Sequence, residues 1–269
     1  MLSKLLRHEF RATGRIMFPV YMMMAASAIL FNLFIRLADN YDAWPLQVFQ
    51  VISGILFFVT LFGAGVVTLC LMVYRFYKNY MTDEGYLMFT LPVTTAQLIW
   101  AKLIVALVWN AVTLLAMAAS VFLGTVGQPF WKEVLPELSG MLGPWLDTIS
   151  TGNVVAYIAE GAALLVLSSL SSYLMFYAAI AMGHSVPNHK ILCSVGFYIV
   201  FNIALQTISS FVSIFGIVAV ENSDFFAREP DPLALSHWLS LGTILASAVI
   251  GTVFYLLTYF TLKKRLNLQ

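Results

Sequence analysis

The chain has 269 residues, of which 61% are hydrophobic and 10% charged, with a formal net charge of +1. An average soluble domain is about 25% charged, and the mean hydropathy here is +0.88. A soluble fold has too little interior for this much apolar surface, so composition excludes a soluble globular protein, a disordered chain and a nucleic-acid binder. The two cysteines, Cys70 and Cys193, lie in apolar stretches and exclude a disulfide framework or a cysteine-rich metal site. What remains is an all-α polytopic membrane protein, one transmembrane domain by length.

Residues 1–15 form an amphipathic segment. At about 100° per residue, Leu2, Leu5, Leu6 and Phe10 share one face, and Lys4, Arg7, Arg11 and Arg15 share the other. Such a helix lies in the membrane interface, basic side toward the headgroups. Glu9 interrupts the apolar face. It requires either a basic partner, for which the 75–102 loop is the candidate, or a small helix rotation that leaves it in water.

A span needs about 20 apolar residues. Charge-free windows predict six, at about 16–35, 49–74, 101–124, 156–183, 191–219 and 237–261. The first is as long as a full span, with Ala25, Ala26 and Ala28 inside it, and is expected to be retained rather than cleaved as a signal. Pro19 is expected in its first turn, and the other prolines fall between spans. Trp109 is the one tryptophan well inside a span.

Lysine and arginine accumulate on the cytoplasmic side of a membrane. One side of this topology carries Lys4, Arg7, Arg11, Arg15, Arg75, Lys78, Lys102, Lys190, Lys263, Lys264 and Arg265; the other has only Arg36, Lys132 and Arg228. The first side is therefore read as cytoplasmic, with both termini on it. The acids, Glu160 among them, gather mostly on the outer side, either to attract a cationic solute or simply as solvated loops.

The loop between the second and third spans is the most informative stretch. It reads YRFYKNYMTDEGYLMFTLPV over residues 74–93. Thr82 or Asp83 can cap a short helix with an acidic first turn, Leu87 and Leu91 share a face, and Pro92 ends it. Thr94 or Thr95 can cap the helix that follows. A short helix of this kind suits either docking in a partner's groove or lying on the membrane surface.

Residues 82–103, TDEGYLMFTLPVTTAQLIWAKL, resemble the corresponding loop of ABC-2 type transporter permeases. The outline of a basic amphipathic helix, six spans and both termini inside is similar too. The resemblance implies that residues 82–93 are a coupling helix, with Asp83, Glu84, Gly85, Tyr86, Leu87, Leu91 and Pro92 contacting an ABC-type ATPase. No G-x-x-x-x-G-K-[ST] phosphate loop occurs. The chain is thus expected to be non-catalytic and free of cofactors, with ATP and magnesium on the partner ATPase. A second permease chain, identical or related, is implied.

Other constellations are weaker. His184 and Asn188 have a His-x-x-x-Asn spacing, but no glutamate pair accompanies it and Pro187 interrupts the register. His184 and His189 have no nearby carboxylate or cysteine, and His237 stands alone near the outer edge of span six, so neither a catalytic site nor a metal site is expected. Asn110, Asn202 and Gln206 lie within spans and either mark a substrate path or join helices. No charge lies deep in a span, which disfavours an ion-coupled carrier. Gly242-x-x-x-Ala246 and Ser247-x-x-x-Gly251 allow close helix approach. An interfacial helix is expected within 125–155 and a re-entrant piece within 214–236.

The expected function is ATP-driven export of a hydrophobic or amphipathic cargo, such as a peptide antibiotic, drug or lipid, across a cell membrane. The alternatives are a membrane scaffold or sensor that docks a cytoplasmic partner, and an ATP-independent carrier.

Overall fold

The computed structural model describes residues 2–41, 43–82, 84–90, 92–128, 130–148, 151–221 and 232–264. These form eight helices: α1 (Leu2–Asn40), α2 (Trp44–Met81), α3 (Glu84–Thr90), α4 (Thr95–Thr125), α5 (Phe130–Thr148), α6 (Thr151–His184), α7 (Lys190–Glu221) and α8 (Pro232–Lys264). Six are long and apolar enough to cross a membrane: α1, α2, α4, α6, α7 and α8. Each expected span falls inside one of them. The protein is an all-α, six-span membrane protein.

The helices overrun the expected boundaries because their polar flanks are also good helix formers. The amphipathic segment and the first span are one uninterrupted 39-residue helix. Gly14, the first weak point, costs only about 1 kcal/mol in a helix interior and does not stop it. Pro19, expected in a first turn, instead sits inside α1. There it removes the hydrogen bond to the Arg15 carbonyl. Lys4, Arg7, Arg11 and Arg15 are exposed, as the wheel predicts. Glu9 is 3% exposed, so the solvated alternative does not hold.

The chain divides into two compact units, each built from separate stretches of sequence. The first comprises residues 1–72 and 104–154. Met17, Met24, Ala28 and Ala64 form part of its interior. Hydroxyls tie its helices together: Tyr21 to Thr113 at 2.8 Å, Thr113 to Thr68 at 2.9 Å, and Ser27 to Thr60 at 2.6 Å. In a bilayer core such bonds replace the hydrophobic drive that water would supply. Asn32 and Arg36 of α1 donate to the Val126 carbonyl at 2.9 and 2.8 Å, capping the end of α4 from a neighbouring helix. The helix expected within 125–155 is α5.

Trp109 packs its ring near Phe10 and Tyr21 and donates from Nε1 to Thr13 Oγ1 at 2.7 Å. Trp109→Phe keeps an aromatic ring and deletes the bond. It is expected to cost about 0.6–1 kcal/mol, a shift of about 2 °C in the melting temperature of the solubilised protein. Trp109→Ala is expected to cost about 3 kcal/mol. An unchanged melting temperature for Trp109→Phe would refute the hydrogen-bonding role.

The second unit comprises residues 73–103 and 155–269. Phe76 stacks on Tyr177 with ring centroids 3.9 Å apart and meets Tyr80 edge-on at 5.1 Å. Ile99, Leu103 and Leu174 are buried in the same unit. Ser171 Oγ of α6 donates to the Ser247 carbonyl of α8 at 2.7 Å. Close by, a Cβ on Gly251 would come 2.9 Å from Ser171 Oγ. The Ser247–Gly251 spacing thus serves packing within the chain, whereas Gly242 has nothing within 4 Å of such a Cβ. Part of the re-entrant piece expected within 214–236 falls on 222–231, outside the described residues.

Candidate functional site

The α2–α3–α4 elbow is built on buried aromatics. Tyr80, in the penultimate position of α2, is 1% exposed and donates to the Leu98 carbonyl of α4 at 2.9 Å. Its ring lies 5.5 Å from Lys102 Nζ, within cation–π range. Lys102 is itself 4% exposed. The last turns of α2 and the first turns of α4 are therefore pinned to each other, and α3 bridges them.

Local chemistry shapes the bridge. Thr82 Oγ1 donates back to the Lys78 carbonyl, so it finishes α2 rather than capping α3 through its side chain. The Thr82 carbonyl accepts from Gly85 N at 2.8 Å. At the other end, Thr94 and Gln97 form a reciprocal capping box: Thr94 N donates to Gln97 Oε1 at 3.2 Å, and Gln97 N to Thr94 Oγ1 at 3.3 Å. Of the two threonines able to start α4, Thr94 is the one that does.

Glu84 opens α3 with its carboxylate 3.2 Å from Lys78 Nζ, and both side chains are nearly half exposed. An exposed pair of this kind contributes at most about 1 kcal/mol, so it orients Glu84 without sequestering it. Gly85 is buried, Tyr86 is 51% exposed and Pro92 is exposed. Asp83 and Leu91, and the side chain of Leu87, lie outside the described residues. Of the described members of the expected docking surface, Glu84, Tyr86 and Pro92 thus face outward, and Gly85 does not.

The remaining candidates separate. Arg7 and Arg11 are exposed, and Phe10 is half-buried near Trp109. Asn110 is half-buried in the first unit. Asn202 and Gln206 belong to the second unit and are exposed on one face of α7. His184 is the last residue of α6, its Nδ1 2.9 Å from the Ile180 carbonyl and 3.3 Å from Ser194 Oγ. Asn188 lies beyond in the turn, so the two do not share a helix. Among the described residues no group of three His, Cys, Asp or Glu converges to hold a metal.

One polar cluster escaped sequence reasoning. Glu160 of α6 accepts from Ser240 Oγ and pairs with His237 Nδ1 of α8 at 2.8 Å. The His237 ring stacks on Tyr157 with centroids 4.2 Å apart, and the Tyr157 hydroxyl is 2.5 Å from Ser236 Oγ. His237 is therefore not alone, and Glu160 is not simply a solvated loop acid: it is 15% exposed and nine residues into a helix. The hint available in sequence was that both residues sit inside apolar windows, where a polar side chain needs a partner.

No protein-family model, curated protein or solved structure matches the chain.

Proposed function

We propose that this chain is the membrane-spanning permease subunit of an ATP-driven ABC transporter of the ABC-2 type. It would lie in a cell membrane with both termini cytoplasmic and work with a second permease chain. The observation that carries the reading is α3: a short helix between two long spans, presenting Glu84 and Tyr86 on a buried aromatic support. A rigid mount of this kind passes a push on α3 directly to α2 and α4. ATP and magnesium belong to the partner ATPase. Nucleotide-driven movement of that ATPase would bias the permease between inward- and outward-facing states. The absence of ionic side chains deep in the described spans, other than the paired Glu160, suits a hydrophobic or amphipathic cargo, and export is the direction favoured by the family resemblance.

Glu84→Arg tests this. The variant reverses the charge and sets two cations, Lys78 and Arg, side by side at the docking face. Recovery of a co-purifying ATPase from gently solubilised membranes is expected to fall at least about tenfold, with unchanged permease yield and melting temperature, because exposed pairs contribute little to stability. If no ATPase accompanies the wild type in several detergents, the permease reading fails. A bound partner without ATPase activity would favour the scaffold reading.

A further inference from the structure

The cluster around Glu160 lies at a definite depth. Lys263 is exposed at the far end of α8, and no Asp, Glu, Lys or Arg separates it from His237. His237 and Ser240 stand 26 and 23 residues before Lys263, about 39 and 35 Å along the helix axis. The hydrocarbon core is about 30 Å thick, and about 40–45 Å with its headgroup layers. A tilt of about 20° shortens the distance by only about 2 Å. Glu160, bonded to both His237 and Ser240, therefore stands in the headgroup layer opposite Lys263. Trp238, 69% exposed beside His237, carries a side chain that favours this layer.

The carboxylate is held there without being neutralised. Its donors are the Ser240 hydroxyl and His237 Nδ1, and among the described residues no lysine or arginine pairs with it. A carboxylate offers about four lone-pair sites, so about two stay open. Of the His237 and Glu160 side chains, 22% and 15% remain exposed. A Cβ on the adjoining Gly161 would meet nothing within 4 Å, so α6 leaves room beside the acid. The Tyr157 and His237 rings stack at 4.2 Å, and the Tyr157 hydroxyl is tied to Ser236, which fixes the ring at the edge of the cluster. A carboxylate with open acceptor sites, edged by an aromatic face, is the chemistry that holds an ammonium group: its N–H groups donate to the carboxylate and its charge is drawn to the ring. The headgroup layer is where an amphipathic amine places that group, with its tail among the acyl chains.

We propose that Glu160, Tyr157 and His237 form a binding site for the ammonium group of an amphipathic amine, supplied by a solute or by the headgroup of a resident aminophospholipid. The site goes beyond the permease reading and needs it only for the amine to be cargo.

Binding of dodecylamine to the purified full chain in dodecyl maltoside tests the site, with dodecanol as the uncharged match. Saturable binding of dodecylamine at neutral pH is expected, at least about tenfold tighter than that of dodecanol. Glu160→Gln keeps an acceptor for one of the two bonds and removes the charge, so dodecylamine affinity should fall at least about tenfold. Tyr157→Leu leaves the carboxylate in place and should weaken binding about threefold; it carries the test if Glu160→Gln folds poorly. Glu133→Gln, at an exposed acid of α5, should change nothing. Nanodiscs separate the two sources of the ammonium. Competition by phosphatidylethanolamine but not by phosphatidylglycerol identifies the lipid headgroup, and equal affinity in both lipids identifies a free amphipath.

Equal affinity for dodecylamine and dodecanol overturns the site. So does full dodecylamine affinity in folded Glu160→Gln, or unchanged affinity in Tyr157→Leu. ATPase recovery from the same membranes keeps the two proposals apart: dodecylamine binding without an accompanying ATPase removes the permease reading alone, and an ATPase without dodecylamine binding removes the site alone.

Discussion

Replacing Gly183 by alanine is expected to cost about 3 kcal/mol and to lower the melting temperature of the solubilised protein by about 5–10 °C. Gly183 lies in the last turn of α6, where α7 crosses against it. A Cβ there would fall 2.5 Å from Ser194 Cα and nearer still to Ser194 N and Oγ. Two of these three obstacles are backbone atoms, so no side-chain rotation relieves the clash and the helices must separate. Separation would also pull Ser194 Oγ from His184 Nδ1. Trimming the side chain with Ser194→Gly should therefore rescue little of the loss. An unchanged melting temperature for Gly183→Ala, or full rescue by Ser194→Gly, would show that the two helices are not held in this contact.

Glu160→Ala is expected to be nearly as damaging. It strips His237 Nδ1 and Ser240 Oγ of their shared acceptor at a part-buried site between α6 and α8. Removing the shared acceptor leaves two donors at a helix–helix contact without their partner, so the melting temperature of the solubilised protein should fall. Glu160→Gln should cost less, since its amide oxygen still accepts one of the two bonds. The decisive measurement is a double-mutant cycle. Glu160→Ala combined with His237→Ala should lower the melting temperature by clearly less than the sum of the two single variants. Strict additivity would mean that the pair does not act as a unit.

Much of the architecture was legible in the sequence because lipid imposes it. A span must be apolar over about 20 residues and must satisfy its own backbone, so the charge-free windows located all six long helices. The exposed basic side of α1 followed from spacing alone. Continuity through residue 15 did not, since a surface segment and a span differ in composition while sharing helical propensity. Side-chain partners were the least legible. Glu160 and His237 are 77 positions apart, and Trp109 and Thr13 are 96 apart; pattern along one helix says nothing about register across two. The small-residue rule pointed to Gly242, which has no near neighbour, and passed over Ala179-x-x-x-Gly183, whose glycine meets α7 closely. At the elbow, the sequence located α3 and offered two caps for α4. The choice of Thr94 depended on the reach of the Gln97 amide.

The length of α2 has a further consequence. Its 38 residues extend about 57 Å, roughly 27 Å more than the hydrocarbon thickness. Tilt absorbs only part of that excess. The first charged residue of α2 is Arg75, and the helix continues from there to Met81, about 10 Å of helix that belongs in water. In the proposed permease the α2–α3–α4 elbow would accordingly stand clear of the hydrocarbon layer, where a soluble partner would reach it from the side without first displacing lipid.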